Sequence, residues 1–274
     1  MADTRLAIVI VSYNTRIDLD RCLHSLMDTP PSIPAGIVVV DNASTDGSAA
    51  WVRDKWPSVH LIETGKNLGF AKANNLGIRA SQSELVLLLN SDTVVPPGAL
   101  DRLAAALDRH PEAAAAGPRL VDGAGNPELS WGQMISPGAA WQQRRLMRGL
   151  AEGNSLVLAT VERLSREQRV VDWVSGACLL VRRAAADSVG LLDERFFMYT
   201  EDVDFCASLR ARGDQILFTP AATVIHLRGR SAATAPAATN VHYRRSQLAF
   251  YQKHYPGWAP FVRLYLALKG LHPG

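Results

Sequence analysis

The sequence lacks several features that would assign it quickly to a functional class. It has only 3 cysteines in 274 residues, and the spacings between Cys22, Cys178 and Cys206 match neither a metal site nor a disulfide framework. Its formal net charge of +3 is too small to indicate nucleic-acid binding through bulk charge. No apolar stretch approaches the roughly 20 residues that span a bilayer. We therefore expect no nucleic-acid partner and no membrane-spanning helix.

Two phosphate-binding patterns are also missing. No G-x-G-x-x-G follows the first apolar run, which argues against a dehydrogenase. The residues there, Ser12-Tyr13-Asn14-Thr15, lack the basic glycine-rich loop that nucleotidyltransferases usually carry, although such an enzyme stays an alternative. The first apolar run is too short for a secretory signal, and buried free thiols suit a reducing compartment. We expect the protein in the cytoplasm.

What the sequence does have is a repeated alternation of short apolar runs and amphipathic segments. Continuous apolar runs predict strands that are buried on both faces, and they occur at 6–11, 37–40 and 85–89. Residues 59–62 predict a further, shorter strand. Helical spacing of apolar residues follows most of them. This alternation predicts an α/β fold with a mostly parallel central sheet and helices on both faces.

The same pattern suggests how the chain is divided. We expect one domain over 1–231, with a nucleotide-binding half over 1–110 and an acceptor-binding, catalytic half over 111–231. Late in this domain, Gln215–Thr219 and Ala222–Leu227 predict two further strands. Residues 232–274 predict a mobile loop and then an amphipathic helical segment.

Polar side chains follow the fourth predicted strand directly. Asn90, Ser91 and Asp92 come after an unbroken apolar run, and ligands bind at the carboxyl ends of strands in open α/β sheets. A carboxylate with an amide two residues earlier suits Mg²⁺ or Mn²⁺ carrying a diphosphate. The alternative is that Asp92 only opens the turn-rich stretch that follows.

Two later groups could complete such a site. His226 ends a predicted strand and could share a divalent ion with a carboxylate, although a lone histidine is more often structural. Glu201, Asp202 and Asp204 lie within four residues at a predicted helix start. Acidic residues stabilise that end of a helix, but crowded like charges also raise the pKa of at least one of them, which suits a general base. Asp202 is the candidate base.

Polar and glycine-containing segments at the predicted strand ends and turns form a longer series. They are Val11–Asn14, Val40–Ser48, Asn67–Phe70, Leu89–Asp92, Gly176-Ala177, Glu201–Asp204 and His226. They occur in the order seen in glycosyltransferase family 2. The chain resembles this family over about residues 6–231, and within it the bacterial rhamnosyltransferases of cell-wall and O-antigen assembly. The resemblance implies a GT-A nucleotide-diphospho-sugar transferase fold and an inverting sugar transfer.

The resemblance also implies roles for individual residues. Asp92 and His226 hold the metal, and Asp202 is the catalytic base. Asn90 stands where the family has an aspartate, which leaves the metal site with one acid fewer. The residues that border the nucleotide-sugar are Ser12, Tyr13, Asn14, Asp41, Asn42, Asn67, Gly69, Asn90 and Ser91. The residues near the acceptor are Trp173, Gly176, Ala177 and Glu201.

The substrates are less closely defined by the sequence. Asp41 can accept a hydrogen bond from the imide N–H of uracil or thymine, and the resemblance favours dTDP-L-rhamnose, with UDP- and GDP-sugars as alternatives. A glycan or a polyprenyl-diphosphate-linked saccharide is the expected acceptor. A non-enzymatic binding or scaffold protein of the same descent would be expected to lose Asp92 or Asp202, and both are present.

Basic and large apolar residues are interleaved in two places, at Trp141, Arg144, Arg145 and Arg148 and in the C-terminal segment. Such a mixture favours contact with a membrane surface or a lipid diphosphate. We expect peripheral contact with the inner face of the plasma membrane. The alternative is a C-terminal helix that simply packs on the domain.

Overall fold

A sheet of nine strands lies at the centre of the described residues. The structure is a computed structural model, and it describes residues 4–136, 143, 145–150, 152–227 and 236–268, with side chains from 241 onward in the last range. A separate pair of short strands, Trp131–Gly132 and Trp173–Val174, lies apart from the main sheet. The strands are β1 (Leu6–Ser12), β2 (Ala35–Asp41), β3 (His60–Glu63), β4 (Leu85–Asn90), β5 (Thr93–Val94), β6 (Ala113–Val121), β7 (Trp131–Gly132), β8 (Arg169–Val171), β9 (Trp173–Val174), β10 (Cys178–Arg182) and β11 (Gln215–His226).

Helices connect most of these strands, as the alternation predicts. A short 3₁₀ helix, Pro256–Trp258, lies between the last two α-helices. The helices are α1 (Arg16–Met27), α2 (Ser48–Lys55), α3 (Phe70–Arg79), α4 (Ala99–Asp108), α5 (Ser155–Leu164), α6 (Arg183–Ser188), α7 (Glu201–Ala211), α8 (Pro236–His254) and α9 (Ala259–Leu268). Residues 145–150 are also helical.

The strand order across the main sheet is β3-β2-β1-β4-β10-β6-β11-β5, and β8 pairs with β11. The first four strands of this order run parallel. β10 is antiparallel to both β4 and β6, and β6 and β11 are again parallel. The predicted α/β fold with a mostly parallel sheet is confirmed, and β10 is the antiparallel strand that joins its two parallel parts.

Helices cover both faces of the sheet because successive side chains of a buried strand point in opposite directions. In β1, Ile8 and Ile10 pack in the same apolar cluster as Leu23 of α1. Val9, between them, packs in a second cluster with Ile78 of α3. Each of these side chains is essentially inaccessible to solvent, which explains why the strand sequences read as continuous apolar runs.

The late part of the sheet differs from the sequence prediction. The two strands expected over Gln215–Thr219 and Ala222–Leu227 are one strand, β11. Its register on β6 shifts between Thr219 and Thr223, so a bulge accommodates Pro220 and pairing then resumes. The prediction of two strands is wrong because a bulge bends a strand without ending it.

The main sheet takes strands from both predicted halves of the chain, β1 to β5 from 1–110 and the others from 111–231. The division into halves therefore stays a prediction about function. The expected helical segment corresponds to α8 and α9. Because α8 already begins at Pro236, the end of the stretch expected to be a mobile loop is helical, and residues 232–235 of that stretch lie outside the described residues. None of the helices in the described ranges is long and apolar enough to cross a membrane.

Candidate active site

Asp92 and His226 lie next to each other although 134 residues separate them in the chain. β5 follows Asp92 directly and pairs antiparallel with the end of β11, where His226 lies opposite Thr93. The Leu227 N–H donates to the Asp92 carbonyl at 2.8 Å. The side chains meet as a result, with His226 Nε2 3.2 Å from Asp92 Oδ1 and 3.5 Å from Asn90 Nδ2.

A second carboxylate, Glu128, holds the other side of the His226 ring. Its Oε2 lies 3.0 Å from His226 Nδ1, and both side chains are buried. Burial alone would lower the pKa of His226, but hydrogen bonds and charge attraction from Asp92 and Glu128 outweigh it and raise the pKa to about 9. Each ring nitrogen therefore faces an acid.

This arrangement fits a divalent cation that has few protein ligands. A carboxylate that receives Nδ1–H leaves Nε2 of a histidine as the metal-binding nitrogen, and here Nε2 faces Asp92. A cation between Nε2 and Asp92 Oδ1 would need an unprotonated Nε2, so metal binding there would compete with a proton. Within the described ranges no three His, Cys, Asp or Glu side chains are arranged to hold a metal ion, so phosphate oxygens and water would have to complete the coordination.

Glu128 was not identified from the sequence. It lies beyond the turn that follows β6, where Asp122 accepts from the backbone of Ala124 and Asn126. The chain then folds back, so that the Glu128 N–H donates to the Leu120 carbonyl at 2.9 Å. The turn residues Gly123–Pro127 are the only sequence signal for this return of the chain.

At the opposite end of the site, Asp41 ends β2 as a buried carboxylate. Its Oδ1 accepts from the Ser44 N–H at 2.9 Å. Its Oδ2 is buried and has no hydrogen-bond partner. An unpaired buried carboxylate oxygen is costly, so this atom is available to a ligand that donates a hydrogen bond.

Asn42 shapes the loop beside Asp41. Its Oδ1 accepts from the Leu68 N–H at 2.8 Å, and its Nδ2 donates to Asn67 Oδ1 at 2.9 Å. Asn67 Oδ1 also accepts from the Gly69 N–H. Asn42 and Asn67 thus fix the loop that leads into α3.

The residues after β1 divide into buried and exposed groups. Ser12 is buried, and its hydroxyl forms a chain with Thr15 at 3.0 Å and, through Thr15, with Ser91 at 2.9 Å. This chain joins the ends of β1 and β4. Asn14 has a left-handed backbone, φ 54°, and its Oδ1 accepts from the Thr45 N–H. Tyr13, next to it, is exposed.

Asp202 lies in the first turn of α7, on the side of the site that faces β10. Its Oδ2 accepts from the Gly176 N–H at 2.8 Å, and its Oδ1 accepts from the Val203 N–H at 2.8 Å. Burial raises the pKa of Asp202, although the two backbone donors act in the opposite direction. Both carboxylate oxygens are therefore oriented by the backbone.

Glu201 is buried beside Asp202. Burial and then the charge of Asp202 raise the pKa of Glu201 well above its ordinary value. Its Oε2 is buried without a hydrogen-bond partner. This environment favours the neutral form of the carboxyl, which can donate a hydrogen bond.

One loop, residues 196–200, connects the start of α3 to Asp202. The Phe70 N–H donates to the Phe197 carbonyl at 2.7 Å, and Gly69 packs so closely that an added Cβ would lie 2.4 Å from that oxygen. Tyr199 and Thr200 then adopt φ 68° and 72°, a left-handed conformation that is strained for such residues. This loop sets the position of the first turn of α7.

The remaining residues that the sequence assigns to the acceptor or to a membrane surface lie in different surroundings. The Ala177 carbonyl accepts from the Asn90 N–H at 3.0 Å, which places β4 and β10 side by side at the site. Trp173 belongs to the buried apolar core, where its indole N–H donates to the Gln133 carbonyl at 2.9 Å. Trp141 and Arg144 lie outside the described residues.

The α/β sheet that carries these polar groups has the GT-A fold of nucleotide-diphospho-sugar transferases. Two solved structures share the fold. One is a mannosyltransferase from Pyrobaculum calidifontis, solved with GDP-Man and Mn²⁺ (TM-score 0.62, 16% identity, 94% of this chain and 68% of that one). The other is GalNAc-T7, solved with UDP, GalNAc and Mn²⁺ (TM-score 0.65, 17% identity, 90% of this chain and 50% of that one).

Sequence comparison identifies the family. The protein family described as "Glycosyl transferase family 2" matches this chain over residues 7–190. An N-acetylglucosaminyl-diphospho-decaprenol L-rhamnosyltransferase of Mycobacterium tuberculosis is 34% identical over 276 residues, which cover 92% of this chain and 86% of the relative. The chain belongs to glycosyl transferase family 2 and is similar to bacterial rhamnosyltransferases, as its motifs predict.

Proposed function

We propose that this glycosyltransferase moves L-rhamnose from dTDP-L-rhamnose, with inversion, to a saccharide carried on a polyprenyl diphosphate. The observation that supports the proposal is that Asp41, Asp92 and His226 lie at or just after the ends of β2, β4 and β11. Asp202 at the start of α7 accepts from the Gly176 N–H, and the neighbouring Ala177 carbonyl accepts from the Asn90 N–H of β4. The similarity to an enzyme named for rhamnosyl transfer to a lipid-linked N-acetylglucosamine supports the choice of donor and acceptor.

The nucleotide half of the site suits a pyrimidine base. The unpartnered Oδ2 of Asp41 can accept from the imide N–H of thymine. Asn42 and Asn67 hold the loop beside it, and Asn14 holds the loop on the other side through Thr45. These residues bind or shape the base and ribose. Ser12 and Ser91 keep the two strand ends at a fixed spacing.

The diphosphate lies, in this proposal, at Asp92 and His226. These residues would hold Mg²⁺ or Mn²⁺ through Oδ1 and Nε2, and Glu128 keeps the ring oriented through Nδ1. When bound, such an ion offsets the negative charge that grows on the departing diphosphate. Asn90, whose amide lies beside His226, can donate to a phosphate oxygen where an aspartate would repel it.

Asp202 is the proposed general base. It takes the proton of the acceptor hydroxyl while that oxygen attacks the sugar carbon on the face opposite the diphosphate. The bond from this carbon to the diphosphate breaks in the same step, so the configuration inverts without a covalent enzyme intermediate. Burial, by raising the pKa of Asp202, makes its ionised form a stronger base.

The acceptor would approach Asp202 from the side of Gly176, Ala177 and Glu201. The neutral Glu201 carboxyl can donate to an acceptor hydroxyl. The indole N–H of Trp173 already donates to a backbone carbonyl, so the proposed role of Trp173 is to support the acceptor-binding residues by packing and not to contact the acceptor. A lipid-linked acceptor also accounts for a peripheral membrane contact, for which Arg148 and the C-terminal helices are candidates.

The test separates donor binding from transfer. Thermal stabilisation by dTDP-, UDP- and GDP-sugars, each with and without Mn²⁺, should single out dTDP-rhamnose. Asp202→Asn should lower the rate of transfer to a polyprenyl-diphosphate N-acetylglucosamine by about 10²- to 10⁴-fold and leave donor binding unchanged.

Two results would contradict the proposal. Near-normal turnover of the Asp202→Asn variant would remove Asp202 from its role. Release of pyrophosphate from a nucleoside triphosphate and a sugar phosphate would instead indicate the nucleotidyltransferase alternative. Because an asparagine can accept only one of the two backbone hydrogen bonds made by Asp202, the melting temperature of the variant must be measured alongside.

A further inference from the structure

The last described helix has two apolar faces, and the protein covers only one of them. Leu266 is buried, and Ala259 and Val262, on the same side of α9, are half-buried. The other side, together with the preceding 3₁₀ turn, exposes large apolar residues at helical spacing. They are Trp258, Phe261, Leu264, Tyr265 and Leu268, with Phe261 64% and Leu268 79% exposed. We call these five residues the α9 patch.

An exposed apolar stripe of this kind marks an interaction surface. All five of its side chains are exposed and three of them are aromatic, and Trp and Tyr are the residues enriched where water meets lipid. Arg263 is exposed on the same helix. Large apolar groups beside a cation are the composition of helices that lie in a membrane interface.

The charge of the C-terminal segment identifies the partner more closely. None of the 26 Asp and Glu residues of the chain lies after Asp214, whereas 7 of its 29 Lys and Arg residues do. The last 60 residues are thus entirely free of acid, while the preceding 214 carry more acids than bases. A second copy of this chain would bring two acid-free segments together, which like charges oppose. A surface of anionic headgroups complements the segment.

The α9 patch is connected to the active site through α8. The Ser246 hydroxyl of α8 donates to the Met198 carbonyl at 2.9 Å, and His242 stacks on Phe197 with ring centres 4.4 Å apart. At the other end of α8, Lys253 and His254 lie 2.8 and 2.7 Å from the buried carboxylate of Asp204. A surface that binds α9 is therefore held at a fixed position relative to α7 and its Asp202.

We propose that the α9 patch docks on an anionic lipid bilayer. The apolar side chains enter the headgroup region, and the cations of the segment contact lipid phosphates. This inference rests on the proposed function for its purpose, since a lipid-linked acceptor is presented at such a surface. The binding itself needs neither donor nor acceptor.

Flotation of the whole protein with vesicles tests the inference. Vesicles of phosphatidylglycerol and phosphatidylcholine in equal parts should carry the protein, and vesicles of phosphatidylcholine alone should carry much less. Replacing Phe261 and Leu264 together by Ser should lower the partition coefficient by about tenfold or more. Replacing Arg263 by Gln should lower it by about fivefold on anionic vesicles.

The matched control is Leu156→Ser, because Leu156 is a strongly exposed leucine on α5 and lies outside the patch. Its binding should equal that of the unmodified protein, and circular dichroism should show that all variants are folded. Unchanged flotation of the Phe261 and Leu264 double variant would overturn the inference. The inference would also be overturned if sedimentation velocity showed that the unmodified protein is a dimer and the double variant a monomer, because a second copy of the chain would then cover the patch.

A separate assay distinguishes this inference from the proposed function. Transfer to a short-chain, water-soluble acceptor should proceed equally in the unmodified protein and the double variant. Vesicle binding without transfer to that acceptor would count against the proposed function but would still support docking of the α9 patch on a bilayer. Transfer without vesicle binding would do the reverse.

Discussion

Replacing Gly69 by Ala tests whether the loop that leads into α3 and the loop before Asp202 form one unit. Gly69 has φ 81° and ψ 171°, a conformation that is essentially restricted to glycine and costs another residue about 1–3 kcal/mol. The added Cβ would also lie 2.4 Å from the Phe197 carbonyl oxygen and 2.9 Å from its Cα. These are backbone atoms, so the loop must move, at a further cost of about 1–3 kcal/mol.

The expected loss is therefore about 2–6 kcal/mol, a large share of the stability of a domain of this size. Urea denaturation followed by tryptophan fluorescence measures it. Gly65→Ala is the matched control, because Gly65 has φ 70° and no atom within 4 Å of an added Cβ. Its cost should be only about 1–2 kcal/mol.

The Gly69 variant should also lose transfer activity beyond its loss of folded protein, because a displaced Phe197 carries Thr200 and the start of α7 with it. Activity is best compared at a temperature where both variants are fully folded. If Gly69→Ala and Gly65→Ala have the same midpoint in urea and the same turnover, the close packing of the two loops does not govern the position of Asp202.

Two further predictions concern single carboxyl groups. Because the folded-state pKa of Glu201 is raised, its contribution to stability is complete below the unfolded pKa of about 4.3 and is lost as the pH rises through the folded value. Glu201→Gln should therefore gain stability relative to the unmodified protein as the pH increases, and equal urea midpoints across the pH range would contradict this. Glu128→Gln should weaken Mn²⁺ binding in the presence of dTDP by about 10- to 100-fold, as measured by calorimetry. The control is Glu152→Gln, because Glu152 is exposed. Unaltered affinity in the Glu128 variant would show that Glu128 does not support His226 as a metal ligand.

Much of the nucleotide side could be predicted from the sequence because strand ends determine it. Asp41 and Asn90 each end an apolar run, and parallel strands bring such ends to one edge of the sheet. The direction of an individual side chain could not be predicted in this way. Ser12 ends β1 just as Asp41 ends β2, yet its hydroxyl is buried against Thr15, because the start of α1 turns back over it.

The acceptor side depends on contacts that join distant parts of the chain. Glu128 reaches His226 only because the turn after β6 folds back along Leu120, and no periodicity records such a return. Trp173 sits two residues from the bend at Ser175-Gly176, close enough in sequence to be assigned to the acceptor. The direction of its side chain into the core follows from its pairing with the short strand β7.

The buried contacts of Asp204 show why the C-terminal helix α8 belongs to the structure of the candidate site. Asp204 is 1% exposed, and a charge so deeply buried is stable only when it is paired. Lys253 and His254 supply its partners from α8. Asp202 lies two residues before Asp204 on the same helix, and the loop before it is bound by Ser246 and His242 of α8. The helix that carries the proposed base is therefore contacted by α8 at its first turn and at its preceding loop, so the proposed catalysis and the proposed docking both depend on the position of α8.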